Sequence, residues 1–318
     1  MIEYRSFRNY DPPQLVRLWN QARLGRGAVQ PVTNDESFDP ANFAQQYFDA
    51  RGVIVAVDGE VPVGFVHAGF GCTDDGSALD RKRGVICAVI VMPGYRLQGV
   101  GRELVRRAEL YLREAGATEI TAGPAPRHDP FFFGLYGGAQ PVGFLDSDRN
   151  AAPFFTKLGY QAGSQFIVTQ RSMHDRDPVN FRLTLLRRKW ELGLADHPDP
   201  CPWWWTVRYG RLESLHCVLI PTGGGQPVAS LTVVGLDLYS RVWHESAIGV
   251  CDLWVAEGQR RQGFGQALLI ETIKRLRQET VSAITANVPV DDPSAQAVFR
   301  SVGFQSIDRG VVFNAPKV

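Results

Sequence analysis

An internal repeat constrains the fold of this chain more than any other feature of its sequence. Residues 91–101 (VMPGYRLQGVG) align without a gap on residues 255–265 (VAEGQRRQGFG), with six identical positions. Further along the chain, residues 148–160 (DRNAAPFFTKLGY) and 292–304 (DPSAQAVFRSVGF) share a second pattern. Two matches in the same order indicate a duplication, so the chain is predicted to contain two tandem copies of one domain.

The first copy has the periodicity of alternating strands and helices. Its pattern predicts a hairpin, a strand buried on both faces, a glycine-containing loop, an amphipathic helix and a short strand. These elements are expected at Val53–Val57 with Val63–Ala68, at Val85–Met92, at Arg102–Ala115 and at Glu119–Ala122.

The second copy repeats this order of elements. Its hairpin, central strand, helix and final strand are expected at Cys217–Ile220 with Val228–Gly235, at Val250–Ala256, at Gln266–Glu279 and at Ser282–Asn287. The two copies together therefore predict an α/β fold.

The boundary between the copies is predicted after residue 175, which gives an N-terminal domain 1–175 and a C-terminal domain 176–318. Asn180–Leu192 has a helical pattern, and Trp203–Val207 is expected to be a strand. The first copy also has about 20 extra residues, centred on 124–144 and rich in glycine, proline and aromatic residues. An insertion of this length is either a functional loop or a structural cover.

Charge and composition exclude several classes of function. The chain has 34 basic and 33 acidic side chains, so a nucleic-acid or membrane partner is not expected. The first residues are charged, no apolar stretch is long enough to span a bilayer, and the five cysteines are scattered, which predicts a cytoplasmic protein. No metal site is predicted, because the histidines and cysteines lack the spacing of metal ligands.

The duplicated motif has the chemistry of a phosphate-binding loop. In both copies a strand leads into R-x-x-G-x-G and then into a helix, whose first N–H groups and dipole favour an anion. A Walker loop requires Gly-Lys-Ser/Thr, and the dinucleotide fingerprint requires G-x-G-x-x-G after a first strand; neither copy has either pattern. A plain strand-to-helix turn becomes a weak explanation once the same arginine and glycines occur twice.

With these motifs, the sequence resembles the GNAT superfamily of acetyl-CoA-dependent N-acetyltransferases. Residues 96–101 and 260–265 match its coenzyme motif, and residues 155–160 (FTKLGY) and 299–304 (FRSVGF) match its later helix motif. The resemblance implies two tandem domains, each with a mixed, mostly antiparallel twisted sheet flanked by helices. It also implies that acetyl-CoA is the co-substrate and that no metal takes part.

The resemblance assigns the coenzyme to the strand end and the loop of each copy. Pantetheine would pair with the end of the central strand, and the pyrophosphate would lie on the N–H groups of the loop. The implied residues are Val91, Met92, Arg96, Leu97, Gln98, Gly99, Val100 and Gly101 in the first copy, and Val255, Ala256, Arg260, Arg261, Gln262, Gly263, Phe264 and Gly265 in the second.

The chain differs from the family at the position of its general acid. A tyrosine of the later helix often protonates the departing thiolate, but this position holds Phe155 and Phe299, which have no proton to give. The asparagine common at the start of that helix is Asp148 in the first copy and Asp292 in the second. The identity of the general acid is therefore open.

Two carboxylates are candidates for the base that removes the proton of an amine. Asp252 lies in the apolar strand VCDLWVA, where an isolated carboxylate is costly, and Glu245 lies just upstream. The alternative for Asp252 is an acid that faces solvent or pairs with an arginine. In the first copy, His128 and Asp129 belong either to an acceptor site or to a solvated loop.

The sequence therefore predicts an N-acyltransferase that moves an acetyl group from acetyl-CoA to a primary amine, with a small molecule preferred as acceptor. A non-catalytic acyl-CoA-binding regulatory protein and a transferase for protein N-termini or lysines are the alternatives. The acceptor, the acyl chain length, the catalytic copy and the oligomeric state are not determined by the sequence.

Overall fold

A computed structural model describes residues 1–178, 186, 188–210 and 212–317 of the chain. The chain divides into two compact units that are discontinuous in sequence. The first unit comprises Met1–Gln165, Pro202–Val207 and Arg309–Val318, and the second comprises Phe166–Cys201 and Arg208–Asp308. The predicted domains 1–175 and 176–318 describe the duplicated segments of the sequence, whereas each compact unit also includes a part of the other segment. The domain ranges therefore stay a prediction.

Thirteen β-strands are present in the described residues. They are β1 (Ile2–Ser6), β2 (Val53–Asp58), β3 (Val61–Cys72), β4 (Leu79–Val91), β5 (Glu119–Ala122), β6 (Phe144–Leu145), β7 (Gln161–Ser172), β8 (Trp190–Ala195), β9 (Ser214–Pro221), β10 (Ala229–Gly235), β11 (Ala247–Val255), β12 (Ala283–Pro289) and β13 (Gln305–Asn314).

The α-helices are α1 (Pro12–Gln21), α2 (Asp39–Asn42), α3 (Val100–Glu114), α4 (Ala151–Lys157), α5 (Trp203–Tyr209), α6 (Ser240–Trp243), α7 (Phe264–Leu276) and α8 (Pro293–Ser301). A π-helical turn spans Asn34–Phe38, and 3-10 turns span Ala50–Gly52, Pro93–Tyr95, Asp237–Tyr239 and Glu257–Gln259.

The sheet of the first unit has the strand order β1-β2-β3-β4-β5-β13. Only β4 and β5 run parallel, and the other neighbours are antiparallel. The last strand of the order comes from the end of the chain, where Phe313 pairs with Ala122 and Asn314 with Thr121.

Helices cover both faces of this sheet because its central strands are apolar on both faces. Val66 and Ile86 belong to a core with Leu104 and Leu112 of α3. His67, the next residue after Val66, points to the opposite face, where it stacks on Phe131 at a ring distance of 3.7 Å.

The sheet of the second unit has the strand order β7-β12-β11-β10-β9-β8. Only β11 and β12 run parallel. Its first strand, β7, belongs to the first copy of the repeat, and Ser172 pairs there with Ala283. Leu268, Leu269 and Ile273 of α7 are fully buried in the core against this sheet.

The structure confirms the α/β fold with two mixed, mostly antiparallel sheets flanked by helices. The predicted hairpin, central strand, helix and short strand are present in both copies. Their bounds differ from the predicted ones by a few residues at most positions, and β4 begins earlier, at Leu79.

Two predictions for the linking segment are corrected by the structure. Trp203–Val207 is helical, because Trp204 packs at 5.2 Å from Tyr47 and its N–H donates to the carbonyl of Gly76, so tertiary packing overrides the strand preference of tryptophan. Of the helix predicted at residues 180–192, residues 190–192 belong to strand β8 instead, while residues 180–185 and 187 lie outside the described residues.

The insertion at 124–144 is a buried cover rather than a solvated loop. Phe131, Phe132 and Leu135 are each at most 2% exposed, and Asp129 is fully buried. The Phe132 ring stacks on Trp19 of α1 at 5.0 Å. The insertion thus closes the face of the first sheet that α3 does not cover.

Candidate active site

The central strand of the first unit extends beyond its parallel neighbour. The pairing of β4 with β5 ends at Ile86 and Ala122, whereas β4 continues to Val91. At the following residue, the N–H of Met92 donates to the carbonyl of Val63 on β3. Because main-chain groups alternate in direction along a strand, those of Val91 point away from β3, into the gap that β5 leaves.

The central strand of the second unit has the same geometry. Its pairing with β12 ends at Val250 and Ala286, and β11 continues to Val255. The N–H of Ala256 donates to the carbonyl of Val228, so the main-chain groups of Val255 point away from β10. Each unit therefore directs into its gap the main-chain N–H of one residue that the sequence assigned to the coenzyme, Val91 in the first unit and Val255 in the second.

The duplicated arginine holds the loop after each strand. Nε of Arg96 donates to the carbonyl of Val91 over 3.0 Å, and Nε of Arg260 donates to that of Val255 over 3.2 Å. Each guanidinium thereby holds the corner between strand and helix, and both arginines line the cleft of their own unit. The sequence predicted these arginines only as contacts for the coenzyme.

The duplicated glutamine also braces its own loop. Nε2 of Gln98 donates to the carbonyl of Gly94 over 2.8 Å, and Nε2 of Gln262 donates to that of Gly258 over 3.0 Å. The repeated glutamine therefore has a structural role in both copies, because it closes the 3-10 turn at the start of the loop between strand and helix.

Both helices begin with a glycine in the left-handed conformation. Gly99 has a φ of 88° and Gly263 a φ of 93°, values that favour glycine. Neither helix start has a side-chain cap, so the first N–H groups of α3 and α7 are available to an anion. Glu103, in the first turn of α3, is paired with Arg106 and Arg107.

A cleft of about 320 Å³ lies beside the loop of the first unit. It is bounded by the end of β4, the phosphate loop, α4 and the segment just before α4. Four of the predicted coenzyme residues line it: Val91, Arg96, Leu97 and Gly101. The structure therefore brings the strand end, the loop and the later helix motif together around one cleft.

A second, smaller cavity of about 30 Å³ adjoins this cleft. The two spaces share the wall residues Leu24, Val89, Ile90, Phe144 and Asp148. The other wall residues of the cavity are Trp19, Cys87, Ala88, Pro124, Phe131, Phe132, Tyr136 and Pro141. The cavity is thus largely aromatic, and the insertion at 124–144 supplies much of its wall.

Asp148 is the buried acid of this site. It is 7% exposed, and its Oδ1 accepts the N–H of Asn150 over a long 3.3 Å. Burial raises the pKa of Asp148 to about 6, although the Asn150 N–H and the charge of Arg96 act to lower it. Buried carboxylates with raised pKa values are frequent at functional sites. The sequence noted Asp148 only as a substitution.

The corresponding residue of the second copy has another role. Asp292 is exposed, and its carboxylate accepts the N–H of Ala295 over 2.9 Å as the N-cap of α8. The cleft of the second unit has a volume of about 860 Å³. Its wall includes Val255, Arg260, Arg261, Gly263, Phe264 and Gly265 of the predicted coenzyme residues.

Neither predicted base lies in a buried site. Asp252 is exposed and accepts the hydroxyl of Tyr209 over 3.0 Å. Its φ of 55° marks a bulge in β11. The bulge interrupts the alternation of buried and exposed side chains along the strand, so Asp252 is not buried with its apolar neighbours. Glu245 is exposed, accepts from Gln170, and precedes β11 at the end opposite to the gap.

The two phenylalanines at the tyrosine position of the family are core residues. Phe155 is 1% exposed and stacks on Phe144 at 4.9 Å and on Phe313 at 5.6 Å. Phe299 is 6% exposed and packs edge-on against Phe304 at 5.1 Å. Neither ring can donate a proton.

Metal-ligand clusters and membrane-spanning helices are both absent from the described residues. Within them, no three or more histidine, cysteine or acidic side chains are grouped as ligands for a metal ion. In the same residues no helix has the length and apolar character needed to cross a membrane.

Comparisons with known proteins agree with the duplicated geometry. A sequence profile described as acetyltransferase (GNAT) family matches residues 26–130 and again residues 183–304. No curated protein sequence matches the chain.

Several solved structures have the same fold. One is a fungal multi-domain GH3 β-N-acetylglucosaminidase with a GCN5-related glucosamine N-acetyltransferase region; its TM-score is 0.74 at 20% identity, over 99% of this chain and 38% of that one. A tandem GNAT protein from the clavulanic acid biosynthesis pathway has a TM-score of 0.65 at 18% identity, over 100% and 99% of the two chains. A GCN5-related N-acetyltransferase from Sphaerobacter thermophilus has a TM-score of 0.63 at 14% identity, over 100% and 97%.

Proposed function

Because the chain belongs to the acetyltransferase (GNAT) family, we propose that it transfers an acetyl group from acetyl-CoA to the primary amine of a small molecule. The observation that supports this most strongly is the gap beside β4, which adjoins an uncapped helix start and leads to a buried carboxylate. Acetyl-CoA supplies the activated acetyl group; the chain supplies the binding groups and the site for proton transfer.

The residues of the first unit fit this co-substrate. The main-chain N–H of Val91 suits a carbonyl of pantetheine, which would pair there as an added strand does, and the N–H groups at the start of α3 suit a pyrophosphate. Arg96 places a positive charge beside the same corner while it holds the loop.

We assign acetyl transfer to the first unit and coenzyme binding alone to the second. The first cleft adjoins a buried acid and a small cavity, whereas Asp292 at the matching position of the second unit is exposed and occupied as a helix cap. A small acceptor is favoured because the cavity beside Asp148 has a volume of only about 30 Å³.

Calorimetric titration with acetyl-CoA and a thiol-release assay with a panel of primary amines test this proposal. We expect binding of acetyl-CoA and amine-dependent release of free thiol. Absence of binding at saturating concentration would refute it entirely. Binding without turnover of any amine would instead favour a regulatory protein, and turnover of peptide amines alone would favour a protein acetyltransferase.

A further inference from the structure

We propose that Asp148 takes up the proton of the acceptor amine in the first unit, and that the small aromatic cavity behind it receives the amine's head group. This inference rests on the proposed acetyl transfer and adds a base and an acceptor site to it. Neither predicted base, Asp252 or Glu245, lines this cleft or this cavity.

The position of Asp148 is the first argument. Asp148 belongs to the wall of the cleft and to the wall of the cavity, so its carboxylate lies where the two spaces meet. An acetyl donor that enters along β4 and an amine held in the cavity would meet beside this group. Asp148 is also the only charged residue in the cavity wall and the only acid in the cleft wall, among the described residues.

The size and lining of the cavity are the second argument. A volume of about 30 Å³ exceeds the roughly 10–15 Å³ that a single water requires, so an ammonium group fits. Its wall contains the aromatic side chains of Trp19, Phe131, Phe132 and Tyr136, a lining that favours a cation next to a carboxylate. The cavity is too small for an amine with a branched carbon next to the nitrogen, so we expect the site to select amines that are unbranched there.

The surroundings of Asp148 suit proton transfer. Cys87 and Tyr136 line the cavity together with Asp148, and Arg96, Arg149 and Lys157 line the cleft. Burial raises the pKa of the Cys87 thiol well above its usual range, so the thiol stays protonated. Burial also brings the pKa of Asp148 to about 6, nearer to the working pH, where a general base is most effective.

The proton balance of the step involves the two substrates, Asp148 and water. The bound ammonium first gives one proton to the Asp148 carboxylate, and the neutral nitrogen then forms a bond to the thioester carbonyl carbon. As the carbon–sulfur bond breaks, the Asp148 carboxylic acid passes its proton to the departing sulfur, and the nitrogen releases its second excess proton to water. The products are the acetamide and free coenzyme A thiol. One residue thus replaces the tyrosine that is absent at Phe155.

The test compares Asp148→Asn and Asp148→Glu with the wild type. Asp146→Asn is the matched control, because Asp146 is exposed, lies two residues away and lines neither space. The probes are 2-phenylethylamine, which is unbranched at the carbon next to nitrogen, and its isomer 1-phenylethylamine, which is branched there. Acetyl-CoA affinity is measured by titration, and kcat/KM by thiol release between pH 5 and 10.

We expect Asp148→Asn to lower kcat/KM at pH 7 by about 10²–10⁴-fold while acetyl-CoA affinity stays within threefold. The pH profile should change shape: the wild type reaches a plateau above about pH 6, whereas the variant rises tenfold per pH unit toward the pKa of the amine. Asp148→Glu should recover part of the rate, Asp146→Asn should match the wild type, and the branched isomer should react at least tenfold more slowly.

An Asp148→Asn variant with a wild-type rate and profile overturns the role of Asp148. A variant whose profile is lowered evenly at every pH overturns it too, since that result indicates a structural role. Equal rates for the two isomers overturn the head-group assignment. A wild-type protein that binds acetyl-CoA but acetylates no amine refutes the proposed function itself, which is a separate outcome.

Discussion

Replacing Asp148 with asparagine should stabilise the protein at pH 8 even though it removes the proposed base. In the folded protein, burial raises the pKa of this carboxyl from its ordinary value of about 3.9 to about 6. The folded state therefore binds the proton more tightly than the unfolded state, and the ionised carboxylate opposes folding above pH 6.

The magnitude follows from the shift in pKa. About two units at 1.36 kcal/mol each give roughly 3 kcal/mol at pH 8, and this penalty decreases as the pH falls from 6 to 4, where the folded carboxyl is protonated and the unfolded one is about half protonated. Asparagine keeps an oxygen that can accept the N–H of Asn150 but has no charge to bury. We expect a gain of about 2–3 kcal/mol in the free energy of unfolding at pH 8 and almost none at pH 4.

Urea unfolding at pH 8, 6 and 4 measures this gain. The matched control is Asp292→Asn, because Asp292 is an exposed N-cap and asparagine caps helices equally well. Its stability should stay within about 0.5 kcal/mol of the wild type at each pH. A loss of stability in Asp148→Asn at pH 8 would refute the reasoning, because it would mean that the charged carboxylate has a stabilising partner.

Four further substitutions test other parts of the structure. Gly99→Ala and Gly263→Ala force alanine into a left-handed backbone at the two helix starts. Each substitution should weaken acetyl-CoA binding at its own site by about tenfold. Calorimetry should show this as the loss of one of two sites. Phe155→Tyr places a hydroxyl among packed rings and should lower the free energy of unfolding by about 1–3 kcal/mol without raising kcat, as thermal unfolding and thiol release will show. His67 is fully buried, neither ring nitrogen has a partner among the described residues, and burial lowers the pKa of its imidazole to about 3. The free energy of unfolding of the wild type should therefore fall by about 2 kcal/mol between pH 7 and 5. Urea unfolding of His67→Phe should lack this loss.

The elements of the fold could be predicted from the sequence because their signals are local. The apolar run at the end of β4 and the helical spacing in α3 depend only on neighbouring residues, and the second copy repeats both. The helix at Trp203–Tyr209 was not predictable in this way, since it depends on packing against Tyr47, which lies far away in the sequence.

The candidate site was predictable only in part for the same reason. The loop glycines and arginines stand out because they occur twice. Asp148 has no local signal: its burial depends on α1, on β4 and on the insertion that contains Phe132, which only the folded chain brings together. Asp252 had a strong local signal, but a bulge in β11 exposes it.

The exchange of strands has a consequence for synthesis of the chain. The sheet of the first unit ends with residues near Phe313, which are translated after all the other strands of that sheet. Until they emerge from the ribosome, β5 lacks its outer partner and the first unit cannot close its sheet. The sheet of the first unit is therefore completed only after β13 is made, and removal of residues 309–318 should damage the candidate active site of that unit.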